Sequence, residues 1–241
     1  MPIEKLTFED GSTYEGETKD GKPHGKGKQT WADGHTYEGD FVNGKRSGKG
    51  RYAWDDDEVY EGDWDNNKMH GKGKYTYYSD EYESYDDSID ESERVVIGQY
   101  ISAVYEGDFV KGVPHGKGKM TFYNGGASSE CEIYEGDFVK SKRHGKGKWT
   151  KANGNVEYEG DFLNNWYHGK GKLTYTDGSF YEGDFANNVP HGKGKSINAN
   201  GNVYEGGYSH NKYHGKGKKT YADGKVEEGK WKDGKFIGKS K

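Results

Sequence analysis

Rings, charges and glycines alternate along the chain in a pattern that returns at near-constant intervals. Tyr-Glu-Gly begins at Tyr14, Tyr37, Tyr60, Tyr105, Tyr134, Tyr158, Tyr181 and Tyr204, and a worn ninth copy, Glu-Glu-Gly, begins at Glu227. The steps between starts are 23, 23, 45, 29, 24, 23, 23 and 23 residues. With the Tyr as position 1, position 3 is always Gly. Position 5 is aromatic in eight of nine copies (Phe41, Trp64, Phe109, Phe138, Phe162, Phe185, Tyr208 and Trp231), with Thr18 the exception. A period of two predicts a strand with rings on one face and charges on the other.

A second element follows in each copy. His-Gly-Lys-Gly starts at His24, His70, His115, His144, His168, His191 and His214, with Ser47 and Ile237 in the remaining copies. Positions 6 to 10 between the two elements are rich in Asn, Gly and Lys, as in Val42-Asn43-Gly44-Lys45-Arg46, and read as a turn. Position 18 is often aromatic (Trp31, Trp54, Tyr77, Phe122, Tyr175, Tyr221), and a turn such as Ala32-Asp33-Gly34 closes the copy. Each copy is therefore a β-hairpin with a tight turn into the next. A two-residue turn at positions 7 and 8 would set position 1 opposite 14; a four-residue turn shifts the pairing by two and keeps the faces. In either register Glu38 and Asp40 are expected across from Lys49 within their hairpin.

Stacking such units gives the predicted fold: all-β, an elongated single-layer antiparallel sheet of tandem hairpins, twisted, with a groove and about 18 strands. The array is expected to run as one continuous domain over residues 6–239, because Leu6–Gly11 repeats the tail of a copy. Glycine is a poor strand former, and here it makes room for a large ring to lie over the neighbouring backbone.

The composition agrees. Leu, Ile and Val number 22 against 36 Phe, Trp and Tyr, so rings rather than aliphatics must supply the buried surface. No apolar run approaches the roughly 18 residues of a membrane span. The start, Met-Pro-Ile-Glu-Lys-Leu, shows no secretory apolar core. A cytoplasmic protein, neither secreted nor transmembrane, is the expectation. The single Cys131 excludes an internal disulfide framework.

The repeats resemble those of the MORN (membrane occupation and recognition nexus) family, whose motif runs Tyr-x-Gly-x-Trp/Phe-x-x-Gly-x-x-x-Gly-x-Gly. The match covers Leu6 to Lys239 outside the long insertion. The resemblance implies a twisted sheet of hairpins with a groove, and interaction work: scaffolds at membranes, cytoskeletal structures and axonemes, or targeting arrays joined to enzymes. Array-only members include ciliary radial-spoke-head proteins.

The 45-residue step holds an insertion. Asp80 to Arg94 carries eight acids and one base, net -7, leaving +2 for the rest of the chain. Residues 79–94 are expected to be an acidic, disordered insertion. Ser84 and Ser88, each followed three residues on by an acid, are candidate phosphorylation sites. The apolar run Val95 to Val104 is expected to extend the strand into Tyr105 or to form a short hairpin around Gly98.

No catalytic constellation emerges, because every candidate residue recurs along the array, whereas active sites are single. The chain is read as a non-enzyme with no cofactor. The His residues recur every second strand, about 10 Å apart, too far to share a zinc ion; they are expected to face Asp or Glu. Gly-Lys-Gly-Lys lacks the spacing of a phosphate loop. Nucleic acid is not expected, since a net basic stripe is missing. The candidate partner groove is the ring ladder around Tyr37, Phe41, Trp54, Tyr60, Trp64 and Tyr77, offered to a peptide or helix. The reading is a scaffold or adaptor in a ciliary axoneme or other cytoskeletal assembly. The alternatives are a peripheral contact to anionic lipid through the Lys face, or an accessory targeting subunit of an enzyme on another chain. End-strand pairing, including a homodimer, has no specific signal in the sequence.

Overall fold

A computed structural model describes residues 1–54, 58–82, 96–123 and 131–239. Every described element is a strand. The contacts divide the chain into two compact units, Met1–Glu132 and Ile133–Lys241. The first carries β1 (Ile3–Thr7), β2 (Thr13–Lys19), β3 (Lys22–Thr30), β4 (Thr36–Val42), β5 (Lys45–Trp54), β6 (Glu58–Asp65), β7 (Lys68–Tyr82), β8 (Val96–Val110) and β9 (Val113–Tyr123). The second carries β10 (Cys131–Val139), β11 (Lys142–Thr150), β12 (Val156–Leu163), β13 (Trp166–Thr174), β14 (Phe180–Ala186), β15 (Val189–Ile197), β16 (Val203–Ser209), β17 (Lys212–Thr220), β18 (Val226–Lys232) and β19 (Lys235–Gly238). In each unit consecutive strands pair antiparallel. Among the described residues there are thus 19 strands against the expected 18 or so, and the worn copy at Glu227 does form a hairpin, β18–β19.

Both expected registers occur, in different halves of one hairpin. Val42 pairs with Lys45 around Asn43-Gly44, the two-residue turn; both turn residues have positive φ, 51° and 80°, as a type I′ hairpin turn requires. Farther out, Gly39 pairs with Gly50 and Tyr37 with Tyr52, the register shifted by two. A bulge at positions 11 to 13 absorbs the difference. It needs a left-handed residue at position 12, where Gly71 has φ 59°.

The core is a herringbone of rings. Phe41 stands edge-on between Tyr14 at 5.1 Å and Tyr37 at 5.0 Å; Trp64 between Tyr37 and Tyr60; Phe109 between Tyr60 and Tyr105. The second unit repeats the scheme, for example Phe185 between Tyr158 at 5.2 Å and Tyr181 at 5.0 Å. Each such pair contributes about 0.5–1.5 kcal/mol beyond its area. A position-5 ring thus bridges its own Tyr and that of the preceding copy. In the first copy the neighbouring β1 carries no Tyr, and position 5 is Thr18: it is buried, and its hydroxyl donates to Glu4 of β1 at 2.6 Å.

The expected ring-over-glycine packing is present. Tyr37 lies across Gly50 so closely that a Cβ there would fall under 3.0 Å from the ring, and its hydroxyl donates to the Asp40 carbonyl at 3.0 Å. Tyr60 repeats this over Gly73, donating to the Asp63 carbonyl at 2.8 Å.

Of the expected acidic, disordered insertion at 79–94, residues 83–94 lie outside the described residues. Residues 79–82 continue β7 and pair with β8, from Ser79 with Tyr100 to Tyr82 with Val96. Gly98 pairs with Glu81 inside that ladder, so the apolar run from Val96 onward extends the strand into Tyr105 and forms no separate hairpin among the described residues. Ser84 and Ser88 lie outside the described residues.

Candidate functional site

The two faces of the hairpins differ in how much of their chemistry remains free. On the charged face, the carboxylate at position 4 fills the bulge of its own hairpin. Asp63 Oδ2 accepts from the Lys72 backbone N–H at 2.9 Å, and Asp40 does the same for Lys49. The second oxygen takes the ammonium of the preceding copy: Lys26 to Asp40 at 2.7 Å, Lys49 to Asp63 at 2.5 Å, Lys72 to Asp108 at 2.6 Å, Lys146 to Asp161 at 2.7 Å, Lys170 to Asp184 at 2.5 Å. The Lys72 ammonium holds the Asp108 carboxyl below its usual range, outweighing burial. This corrects the expected pairing of Lys49 with Asp40: the ammonium reaches forward to Asp63, and only the Lys49 amide serves Asp40. In these five cases the charges tie one hairpin to the next within a unit, because the bulge turns the position-13 side chain outward to the following strand. Glu at position 2 and the base at position 15 add weaker links, such as Arg51 to Glu61 at 3.3 Å.

The His residues face Asp in several hairpins, with Asp63 opposite His70 and Asp161 opposite His168. Among the described residues no group of His, Cys, Asp and Glu could hold a metal. Nor is any described helix long and apolar enough to cross a membrane.

The ring face has two levels. Tyr37, Phe41, Tyr60 and Trp64 belong to the buried herringbone, at 0%, 1%, 0% and 5% exposure. These four of the six candidate groove residues are floor, not contact surface. Burial, followed by the nearby Asp40 and Asp63 charges, pushes the Tyr37 and Tyr60 phenols well above their ordinary value. Trp54 and Tyr77 are half-buried. The structure joins them into a row: Trp31 to Tyr52 at 5.4 Å, Tyr52 to Trp54 at 4.3 Å, Trp54 to Tyr75 at 5.3 Å, Tyr75 to Tyr77 at 4.5 Å. Tyr75 donates its hydroxyl to Glu58.

Two members of this surface escaped the sequence reading. Position 10 looked like turn, yet Arg46 spreads over Trp31, Tyr52 and Trp64 at 5.4, 4.8 and 4.7 Å and donates to the Asn67 carbonyl at 3.1 Å. In the second unit Arg143 does the same over Trp149, and Tyr167 and Tyr213 stack flat on Tyr158 and Tyr204 at 3.7 Å. Position 16, with Tyr52 and Tyr75, is the other. The signal was present: position 10 is Pro, Arg, Met, Tyr or Phe in every copy, never the small polar residue that a turn favours.

A model of the MORN repeat matches residues 14–36, 37–59, 60–81, 105–127, 134–156, 158–180, 181–203 and 204–226. A comparison with curated proteins returns no match. The eight matched segments begin at the eight Tyr residues of the herringbone and together span most of the sequence. With that shared period, and the same hairpin built in each segment, the chain belongs to the MORN repeat family.

Proposed function

We propose that the chain is a non-catalytic scaffold that holds a segment of a partner protein on its ring face, in a ciliary or other cytoskeletal assembly. MORN repeats are a non-enzymatic class of protein- and membrane-interaction modules, which supports the general reading. The observation that carries the specific one is the row Trp31–Tyr52–Trp54–Tyr75–Tyr77. Its rings are ordered by contact with one another and by Arg46, and Trp31, Trp54, Tyr75 and Tyr77 remain partly open. Rigid, half-exposed aromatics on a sheet bury apolar area at little entropic cost, as binding anchors do. An extended segment presenting apolar side chains toward Trp54 and Tyr77 is the occupant that fits. The lipid reading is less favoured, since five position-13 lysines already carry an Asp partner.

Trp54→Ala with Tyr77→Ala is the test. Trp64 is unsuitable, because its truncation would hollow the core. Photo-crosslinking in detergent-extracted cells should capture partners with the wild type in the insoluble cytoskeletal fraction, and about tenfold less with the double variant, with the β-sheet circular dichroism retained. Equal capture by both proteins refutes the ring-face reading. Release of the protein only when detergent dissolves membranes refutes the cytoskeletal placement.

A further inference from the structure

The carboxylate device of the charged face is interrupted once inside the regular array, and the interruption has a chemistry. Seven copies supply a carboxylate at position 4, from Glu17 to Asp184. In each, one oxygen accepts from the position-13 amide of the same hairpin, at 2.8 to 3.0 Å from Lys26 to Lys193. In the eighth copy position 4 is Gly207, and in the ninth it is Lys230.

A side chain at Gly207 would collide with the His214 carbonyl, so the chain itself cannot supply an eighth carboxylate here, but donors equivalent to those of the other copies remain. Lys193 lies directly opposite Gly207, in the position from which Lys170 reaches Asp184. Lys216 occupies position 13 of the eighth hairpin, and its amide has no side-chain acceptor among the described residues. At Gly169 and Gly192 the Asp oxygen stands 2.7 Å from where a Cβ would be; at the equivalent Gly215 no protein atom lies within 4 Å. Lys193, Gly207, His214, Gly215 and Lys216 line one end of a recess of about 1130 Å³ in the second unit. Lys216 pairs in register with Lys230, a like charge. None of Lys193, Lys216 and Lys230 has an ion-pair partner within 4 Å among the described residues. Residues 189–241 contain 12 Lys and 5 acids, net +7, against -12 for the rest of the chain.

We propose that Lys193 and Lys216 form a carboxylate-binding site for an Asp or Glu side chain of an acidic, extended segment of a partner protein. The partner would supply in trans the group that seven copies supply in cis, one oxygen on the Lys193 ammonium and the other on the Lys216 amide. A peptide is favoured over a membrane because the flanking position-2 row keeps Glu205 and Glu228 beside the site. A plane of phosphates would meet those carboxylates, whereas one side chain entering between the rows does not. The site belongs to the charged face of the second unit, the aromatic row to the first unit, and the proposal stands independently of the function proposed above.

The test uses the full chain, ¹⁵N-labelled, titrated with acetylated, amidated Asp-Gly-Asp peptide and with its Asn-Gly-Asn counterpart. Saturable shifts of the Lys193 and Lys216 amides with the Asp peptide alone are expected. Lys193→Gln should weaken binding about tenfold, as loss of a charged hydrogen bond does. Lys170→Gln, in the same recess but already paired, should leave it unchanged. Equal response to the Asn peptide, indifference to Lys193→Gln, or equal weakening by Lys170→Gln overturns the site. Shifts with phosphatidylserine-containing vesicles and none with the peptide would also overturn it, in favour of a lipid contact.

Discussion

Gly73→Ala is the sharpest probe of how this fold is held together. A Cβ at Gly73 would fall under 3.0 Å from the Tyr60 ring and hydroxyl. The ring has nowhere to go: it is fully buried, edge-on to Trp64 at 5.3 Å and Phe109 at 4.9 Å, and its hydroxyl is anchored at 2.8 Å on the Asp63 carbonyl. If the backbone yields, overpacking costs about 1–3 kcal/mol. If the ring is expelled, the loss resembles a core aromatic truncation, about 3–5 kcal/mol. The expected value lies between, about 3 kcal/mol, or a little over a hundredfold in the local opening constant. Hydrogen exchange read by mass spectrometry on β6 and β7 is the assay, because tandem arrays open locally and a single global transition would average over copies. Gly44→Ala is the control, where φ is 80° and no atom lies within 4 Å, so only the left-handed backbone cost of about 1–2 kcal/mol remains. The decisive arm is Gly73→Ala in a Tyr60→Ala background, where the clash has no partner and the extra cost should nearly vanish. The same cost in both backgrounds would refute the claim that the glycine exists to admit the ring.

Further outcomes follow from the charge ladder and the rings. Asp63→Ala should destabilise by about 1–2 kcal/mol, since the Lys72 amide loses its acceptor, while Lys49→Gln should cost less than about 1 kcal/mol and less still at high salt; urea titrations at two salt concentrations separate them. The Asp40, Asp63 and Asp108 carboxyls are held below 3.8 in the folded chain, so their contribution is present above that value and is lost as pH falls through the lower folded values. Exchange protection of β4 to β8 should accordingly drop below about pH 4, and Asp108→Asn should blunt the drop. The buried tyrosines are held above 10, with Tyr204 at about 12, so their neutral forms favour the fold and stability should fall as pH rises beyond 10. Absorbance at 295 nm should show these phenols ionising together with loss of the sheet, not before it. Arg46→Gln should loosen the row, read as increased mobility of Trp54 in fluorescence anisotropy with little change in global stability, because cation–π contacts contribute about 0.5–2 kcal/mol.

The periodic placement of Tyr, Gly and the position-5 ring was sufficient, without coordinates, to specify hairpins, faces and the packing of rings over glycines. Side-chain alternation in a strand is obligatory, and a pair of facing glycines beside a tyrosine leaves one economical arrangement. Thr18, an apparent defect in the sequence, follows from the same rule once the position-5 ring is seen to need a Tyr on each side. What only the tertiary structure decided was where side chains go after the bulge. Two extra residues at positions 12 and 13 shift the register by two and turn Lys49 away from Asp40 toward Asp63, so charges that look intrahairpin in sequence join neighbouring copies. Arg46, which reads as turn, lies over Trp31 and Tyr52, and Tyr37, Phe41, Tyr60 and Trp64 are buried whereas Trp54 and Tyr77 stay half-exposed. The tertiary structure also gives Gly207 its meaning: a missing carboxylate is invisible as chemistry until Lys193 is seen to lie opposite its place. Periodicity sets which face a residue occupies; the partner it meets on that face depends on strand register, and register is a property of the paired backbone.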